Sequence, residues 1–197
     1  MEPTKVSLSA LDILLMVIGT GSFSAAVTAL LAWLKDFRKD KAATKRDASY
    51  LALRVAVVLE RFSFDCAGYI SDIETFSSSS GHAGAQRAML PDLLPYPADL
   101  DWKVLDLGLA GRALSLPNEF ELADRAIAFW FEIDNECVPQ ACRDQCGICG
   151  LRAWELAAAL RKKYGLPEFD LKSVGWGIVD LLQETRDAAV ARTQAER

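Results

Sequence analysis

The sequence predicts an all-α protein: an N-terminal transmembrane helix running into a cytoplasmic helical bundle that carries a Pro-rich extended strap. Three observations carry that expectation. Residues 13–34 contain no charged side chain. Residues 51–76 repeat apolar positions in steps of three and four, the period of a helix face. No stretch alternates apolar and polar residues as a half-buried strand would, and no internal repeat is present.

After a short leading segment, residues 1–12, comes the run ILLMVIGTGSFSAAVTALLAWL. Hydrophobic residues make up 51% of the 197-residue chain, high for a chain that is also 25% charged, and much of the excess lies in this run. In lipid every backbone N–H and C=O must be satisfied within the segment, which selects helix. At 1.5 Å per residue the run reaches about 33 Å, enough for a hydrocarbon core of roughly 30 Å. Two competing readings are weaker. Ser24, Ala25 and Ala26 resemble the small-residue site of a cleaved signal peptide, yet the apolar run continues beyond them to Leu34 and little positive charge precedes it. A buried core helix is the other, and the run is longer than such helices need.

Charge fixes the expected orientation. Lys35, Arg38, Lys39, Lys41, Lys45 and Arg46 follow the run, whereas only Lys5 and the amino terminus are positive before it. Basic flanks stay on the cytoplasmic side, so the N-terminus is expected outside and the C-terminal domain inside a bacterial inner membrane. Trp33 would sit at the inner headgroup level, with Lys35, Arg38 and Lys39 reaching lipid phosphates. Within the run, Gly21 and Ala25, and likewise Ser22 and Ala26, lie four residues apart. Such small residues let two membrane helices approach closely, although they are also simply tolerated there, and both readings stay open.

The basic stretch 35–50 contains no Gly or Pro and is expected to extend the helix. A bundle domain is expected over residues 51–193, with residues 194–197 as a tail. Its first helix presents Leu51, Val55, Val58, Phe62, Cys66, Tyr69, Ile73 and Phe76 on one seam, widened by Leu53, Val57 and Leu59. A helix apolar over most of its surface belongs among several neighbours rather than in a two-stranded coiled coil. Asp65, Asp72 and Glu74 fall on its polar side, as a solvated face requires.

Residues 77–117 differ in kind. Ser77 to Gly84 form a polar loop, and Pro91, Pro95 and Pro97, interleaved with Leu93, Leu94 and Tyr96, dictate an extended strap. Short helices are expected near residues 100–107 and 109–114. Pro117 and Asn118 then read as a helix start, with Glu121 completing a capping box and Leu122, Ala126, Phe129, Trp130 and Ile133 as the inward stripe. A further helix is expected from about Ile148 to Tyr164, stopped by Gly165 and Pro167. Asp170 would cap the last one, which packs through Val174, Ile178, Val179, Leu181 and Leu182.

The densest chemistry is Cys137, Cys142, Cys146 and Cys149, spaced C-x4-C-x3-C-x2-C. Thiolates are soft ligands, so zinc or an iron–sulfur cluster is one reading. The compact spacing speaks against it, because structural zinc draws ligand pairs from separated arms. The C-x3-C-x2-C portion matches the spacing of radical-SAM enzymes, but only 48 helical residues follow it and that reading fails. A disulfide joining Cys137 to Cys146 or Cys149 is natural if the topology is inverted, and ordinary packing cysteines complete the alternatives. Cys66 reads as a small buried hydrophobe.

His82 is the single histidine, so no Ser-His-Asp set, no Zn-His pair and no H-E-x-x-H helix can be assembled. No phosphate-binding Gly loop is present. Enzyme activity is therefore not expected. Nor is nucleic-acid binding: residues 1–47 carry seven Lys/Arg against five Asp/Glu, while residues 48–197 carry fifteen against twenty-two. What remains is a membrane-anchored interaction or scaffold protein that self-associates or holds a protein partner; the alternative is a membrane-tethered metal or thiol redox sensor. The segments LALRVAVVLERFSFDCA and RALSLPNE resemble a small bacterial family of single-helix-anchored membrane proteins with no assigned activity. That resemblance implies no catalytic or binding residues.

Overall fold

The computed structural model describes residues 10–99, 101–170 and 177–195; over residues 10–42 the side chains of Leu31, Trp33 and Lys35 alone are described. The chain divides into two compact units, Met1–Arg46 and Asp47–Arg197. Helix α1 is Ala10–Ser78. Among the described residues no helix is long and apolar enough to cross a membrane. The side chains of the 13–34 run, apart from exposed Leu31 and Trp33, lie outside the described residues, as do those of Gly21, Ser22, Ala25, Ala26, Arg38 and Lys39; Lys35 is exposed.

The unit Asp47–Arg197 is an all-α bundle. Among the described residues four helices build it: the C-terminal part of α1, α2 (Leu107–Ile133), α3 (Val138–Tyr164) and α4 (Ile178–Ala195). The seam expected on α1 is the core seam. Leu51, Val55, Phe62, Cys66 and Ile73 are buried, and Leu59, Ala52, Ala56 and Ile70 widen it. Val57 departs from the expectation and is exposed. Phe62 stacks on Phe120 of α2, ring centroids 4.3 Å apart, which ties the two helices at the centre of the core.

The strap leaves α1 through a turn at residues 79–84. It buries Leu90, whose backbone N–H donates to Asp124 on α2 at 2.7 Å. Arg87 donates to Asp72 at 2.5 Å and lies over the Tyr69 ring. Glu74 accepts from Arg143 of α3 at 2.6 Å. Thus two of the carboxylates expected on a solvated face instead anchor the strap and a neighbouring helix.

Helix α2 starts eleven residues earlier than Asn118. Its cap is Asp106, whose carboxylate accepts from the N–H groups of Gly108 and Leu109 at 3.1 and 3.2 Å. The expected helix at 109–114 and the one expected after Pro117 are therefore one helix, and among the described residues 101–106 the helical part is a 3₁₀ turn, Trp102–Val104. Pro117 sits inside α2, where it has no N–H for the carbonyl of Ala113. Tyr96 of the strap supplies the missing donor: its hydroxyl reaches the Ala113 oxygen at 3.0 Å. The strap thereby makes an interior proline tolerable.

Helix α3 begins at Val138, about ten residues before Ile148, with Pro139 in its first turn. Gly165 ends it as expected, in the left-handed conformation at φ 63°. Helix α4 is Ile178–Ala195, and residues 171–176, which follow the expected cap Asp170, lie outside the described residues. Ile178 and Leu182 are buried, Val179 and Leu181 half-buried, and Val174 lies outside the described residues.

Candidate functional site

The cysteine-rich segment forms the tightest part of the bundle. Gly147 and Gly150 sit inside α3 where neighbours leave no room for a side chain. A Cβ on Gly147 would lie 2.7 Å from the Thr185 methyl of α4, and one on Gly150 would lie 2.8 Å from Cys66 Cβ and Leu182 Cδ2. Ser63 of α1 stands 2.9 Å from both the Leu59 and Gly150 carbonyls and donates to one at a time. Cys146, Gly147, Cys149 and Gly150 thus supply small residues that let α1 and α4 close on α3.

The four clustered cysteines do not act as one group. Cys142, Cys146 and Cys149 are buried; Cys137, before the first turn of α3, is exposed. The thiols of Cys66, Cys146 and Cys142 lie near enough to influence one another's ionisation, and the Cys142 S–H donates to the Met89 carbonyl of the strap at 3.2 Å. Burial pushes the Cys66 thiol up against the downward pull of Cys146, and burial pushes Cys149 up to about 12. Cys142 is raised by its hydrogen bond to Cys146 and then by burial. At Cys146 the Cys142 contact pulls downward, but the Cys66 contact and burial outweigh it. These sulfurs stay protonated at neutral pH and pack as apolar groups. Cys137 donates to Asp134 at 3.2 Å, and that hydrogen bond raises its pKa. All five cysteines are free, and among the described residues no three His, Cys, Asp or Glu side chains are placed to hold a metal ion. Sequence reasoning set Cys66 apart from the cluster; its seam position on α1 marked it as buried, but its meeting with Cys146 depends on how α1 and α3 cross.

A second polar feature was not anticipated. Glu60 and Arg161, both buried, join α1 to α3 through two hydrogen bonds of 2.5 and 2.8 Å, and Arg161 donates a third to the Pro167 carbonyl at 2.6 Å. They line a cleft of about 370 Å³ with Trp154, Lys162 and Phe169. The pair's hydrogen-bonding groups are turned on each other and on the chain, so the cleft's buried charges are matched internally.

The outer face of α2 is the most unusual surface. Its buried residues are Ala110, Ala113, Leu116, Phe120, Ala123 and Ile127. The stripe expected to face inward is turned out. Leu122 is 69% exposed, Phe129 57% and Ile133 60%, with Ala126 and Trp130 exposed beside them. Leu107, at 88%, and Leu114, at 50%, continue the same face toward the N-terminus. Phe131 is exposed as well. Near the C-terminal end, Trp130, Cys137, Asp144, Ile148 and Arg192 border a pocket of about 260 Å³, in which Arg192 of α4 is paired with Asp144. Protein surfaces in water rarely leave so many large apolar side chains exposed along one face. No protein-family model, curated protein or solved structure matches the chain.

Proposed function

We propose that this protein is a membrane-anchored helical interaction or scaffold protein, with residues 13–34 crossing a bacterial inner membrane and the bundle on the cytoplasmic side. The observation that carries the interaction reading is the outward apolar face of α2, with Leu122, Phe129, Trp130 and Ile133 exposed on a bundle whose core is already filled. The membrane reading rests on the charge-free run and its one-sided basic flank. In it, Trp33, Lys35, Arg38 and Lys39 meet the headgroups, and Gly21, Ser22, Ala25 and Ala26 allow close packing of helices in lipid.

The experiment is gentle detergent extraction from the host followed by native mass spectrometry. Recovery in the alkaline-resistant membrane fraction, at a mass exceeding one chain, is expected. A chain that washes from membranes at alkaline pH refutes the anchor, and a bare monomer refutes the scaffold role.

One second reading is a thiol sensor built on Cys137, the clustered cysteine that is exposed. A hydroperoxide would transfer one oxygen to the Cys137 sulfur, giving a sulfenic acid and leaving an alcohol. Peroxide treatment followed by peptide mass mapping decides it; five unmodified thiols would refute it. A metal-bound form of the sensor, with zinc or an iron–sulfur cluster, is tested by metal analysis of untagged protein and of Cys146→Ser.

A further inference from the structure

We infer that the outer face of α2 pairs with the same face of a second copy, antiparallel and centred on Asn118. This deepens the interaction reading by naming the partner. The residues along that face are Leu107, Gly111, Leu114, Asn118, Leu122, Arg125 and Phe129, separated by steps of four, three, four, four, three and four. The spacing reads the same in both directions. At 100° per residue, Leu107, Leu114, Leu122 and Phe129 fall within an arc of about 80°, opposite the buried face.

A two-fold contact requires a patch complementary to itself. Two antiparallel α2 helices crossing at Asn118 place Leu107 opposite Phe129 and Leu114 opposite Leu122. Gly111, beside which a Cβ would meet nothing within 4 Å, then faces Arg125 of the other copy, a small residue against a long one. Asn118 meets its own counterpart. A polar amide at the centre of a mostly apolar seam fixes register, because a shifted pairing would leave that amide unsatisfied.

Electrostatics separate this occupant from a bilayer. Between Leu107 and Ile133 there are four acidic residues and two basic ones, a poor match for anionic lipid. Three of those acids are already engaged within the chain: Glu121 with Arg125 at 2.5 Å, Glu119 with Arg152 at 2.5 Å, and Asp124 with the Leu90 N–H. Self-pairing therefore does not bring bare carboxylates together. The four large side chains and their borders would bury on the order of 500 Å² per copy, roughly 1,000 Å² in all, the lower limit for a specific interface. Such a dimer is weak when free, and a shared membrane would raise its effective concentration.

The test is disulfide trapping in the full-length chain, in host membranes, with Cys137→Ser as background and copper phenanthroline as oxidant. Asn118→Cys lies on the two-fold axis and is expected to form a covalent dimer at least tenfold faster than Glu155→Cys, an exposed control on α3. Adding Leu122→Asp, at a site already exposed, is expected to abolish that advantage while helicity is unchanged. Equal rates at 118 and 155, or trapping that survives Leu122→Asp, overturns the inference. Native mass spectrometry keeps the two readings distinguishable: a single copy bound to a different protein overturns the homotypic pairing alone, while a bare monomer overturns the scaffold reading with it.

Discussion

Replacing Tyr96 by Phe removes one oxygen atom and should destabilise the bundle by about 1–3 kcal/mol, the usual cost of leaving a buried acceptor unmatched. The magnitude follows from geometry. Ala113 is fully buried, so water does not reach its side chain, and the helical donor that would serve its carbonyl belongs to Pro117, which has none. The Tyr96 hydroxyl at 3.0 Å is the substitute. With a urea m-value of about 2 kcal/mol/M, the midpoint of the full-length protein in detergent should fall by roughly 0.5–1.5 M. The decisive comparison uses Pro117→Ala, which restores a backbone N–H at that turn. On that background Tyr96→Phe should cost less than about 0.5 kcal/mol, because the carbonyl already has its donor. Equal losses on both backgrounds would refute the compensation. The pH dependence gives an independent check. Burial pushes the Tyr96 hydroxyl up to about 12, against about 10 in an unfolded chain. The folded state keeps its proton longer, so this contribution is complete below pH 10 and is lost as pH rises toward 12. Tyr96→Phe should flatten that decline.

Three further outcomes are expected. Gly150→Ala should destabilise by about 1–3 kcal/mol through collision with Cys66 and Leu182, whereas Gly68→Ala, with nothing within 4 Å of the added carbon, should stabilise by about 0.5–1 kcal/mol; thermal melts compare them directly. Arg161→Met should cost about 3–5 kcal/mol by stranding Glu60, and Glu60→Met added to it should recover most of the loss, read as melting temperature. Maleimide should label Cys137 in the native protein and reach Cys66, Cys142, Cys146 and Cys149 only after denaturation, as peptide mapping would report.

What the sequence made legible is what period and punctuation encode. The seam through Leu51, Val55, Phe62 and Ile73, the extended strap at Pro91–Pro97 and the stop at Gly165 follow from residues close in the chain. The starts of α2 and α3 did not, for a common reason. Pro117 and Gly147 stand beside the expected starts, and each is accommodated inside a helix by a distant partner: Tyr96 in the first case, Thr185 in the second. Such compensation depends on tertiary register, which local propensity cannot encode. The Glu60–Arg161 pair, 101 residues apart, was hidden in the same way.

The error over the inward face of α2 has a different origin, and it bears on function. The helix is apolar on two sides, so periodicity offers two solutions, and hydrophobic burial favours the side with the larger residues. The fold takes the other side, because Ala110, Ala113 and Ala123 allow α2 to approach its neighbours closely while Leu116, Phe120 and Ile127 fill the gaps. Leu107, Leu114, Leu122 and Phe129 consequently add little to the stability of a single copy. Leu122→Gln together with Phe129→Gln should change the unfolding free energy of the isolated chain by no more than about 0.5 kcal/mol per site, while weakening any association through this face at least tenfold. Dilution-dependent unfolding separates the two effects: association couples stability to concentration, and the double variant should remove that dependence. If the variant unfolds the chain at every concentration, these residues serve the core and the face is not a docking surface.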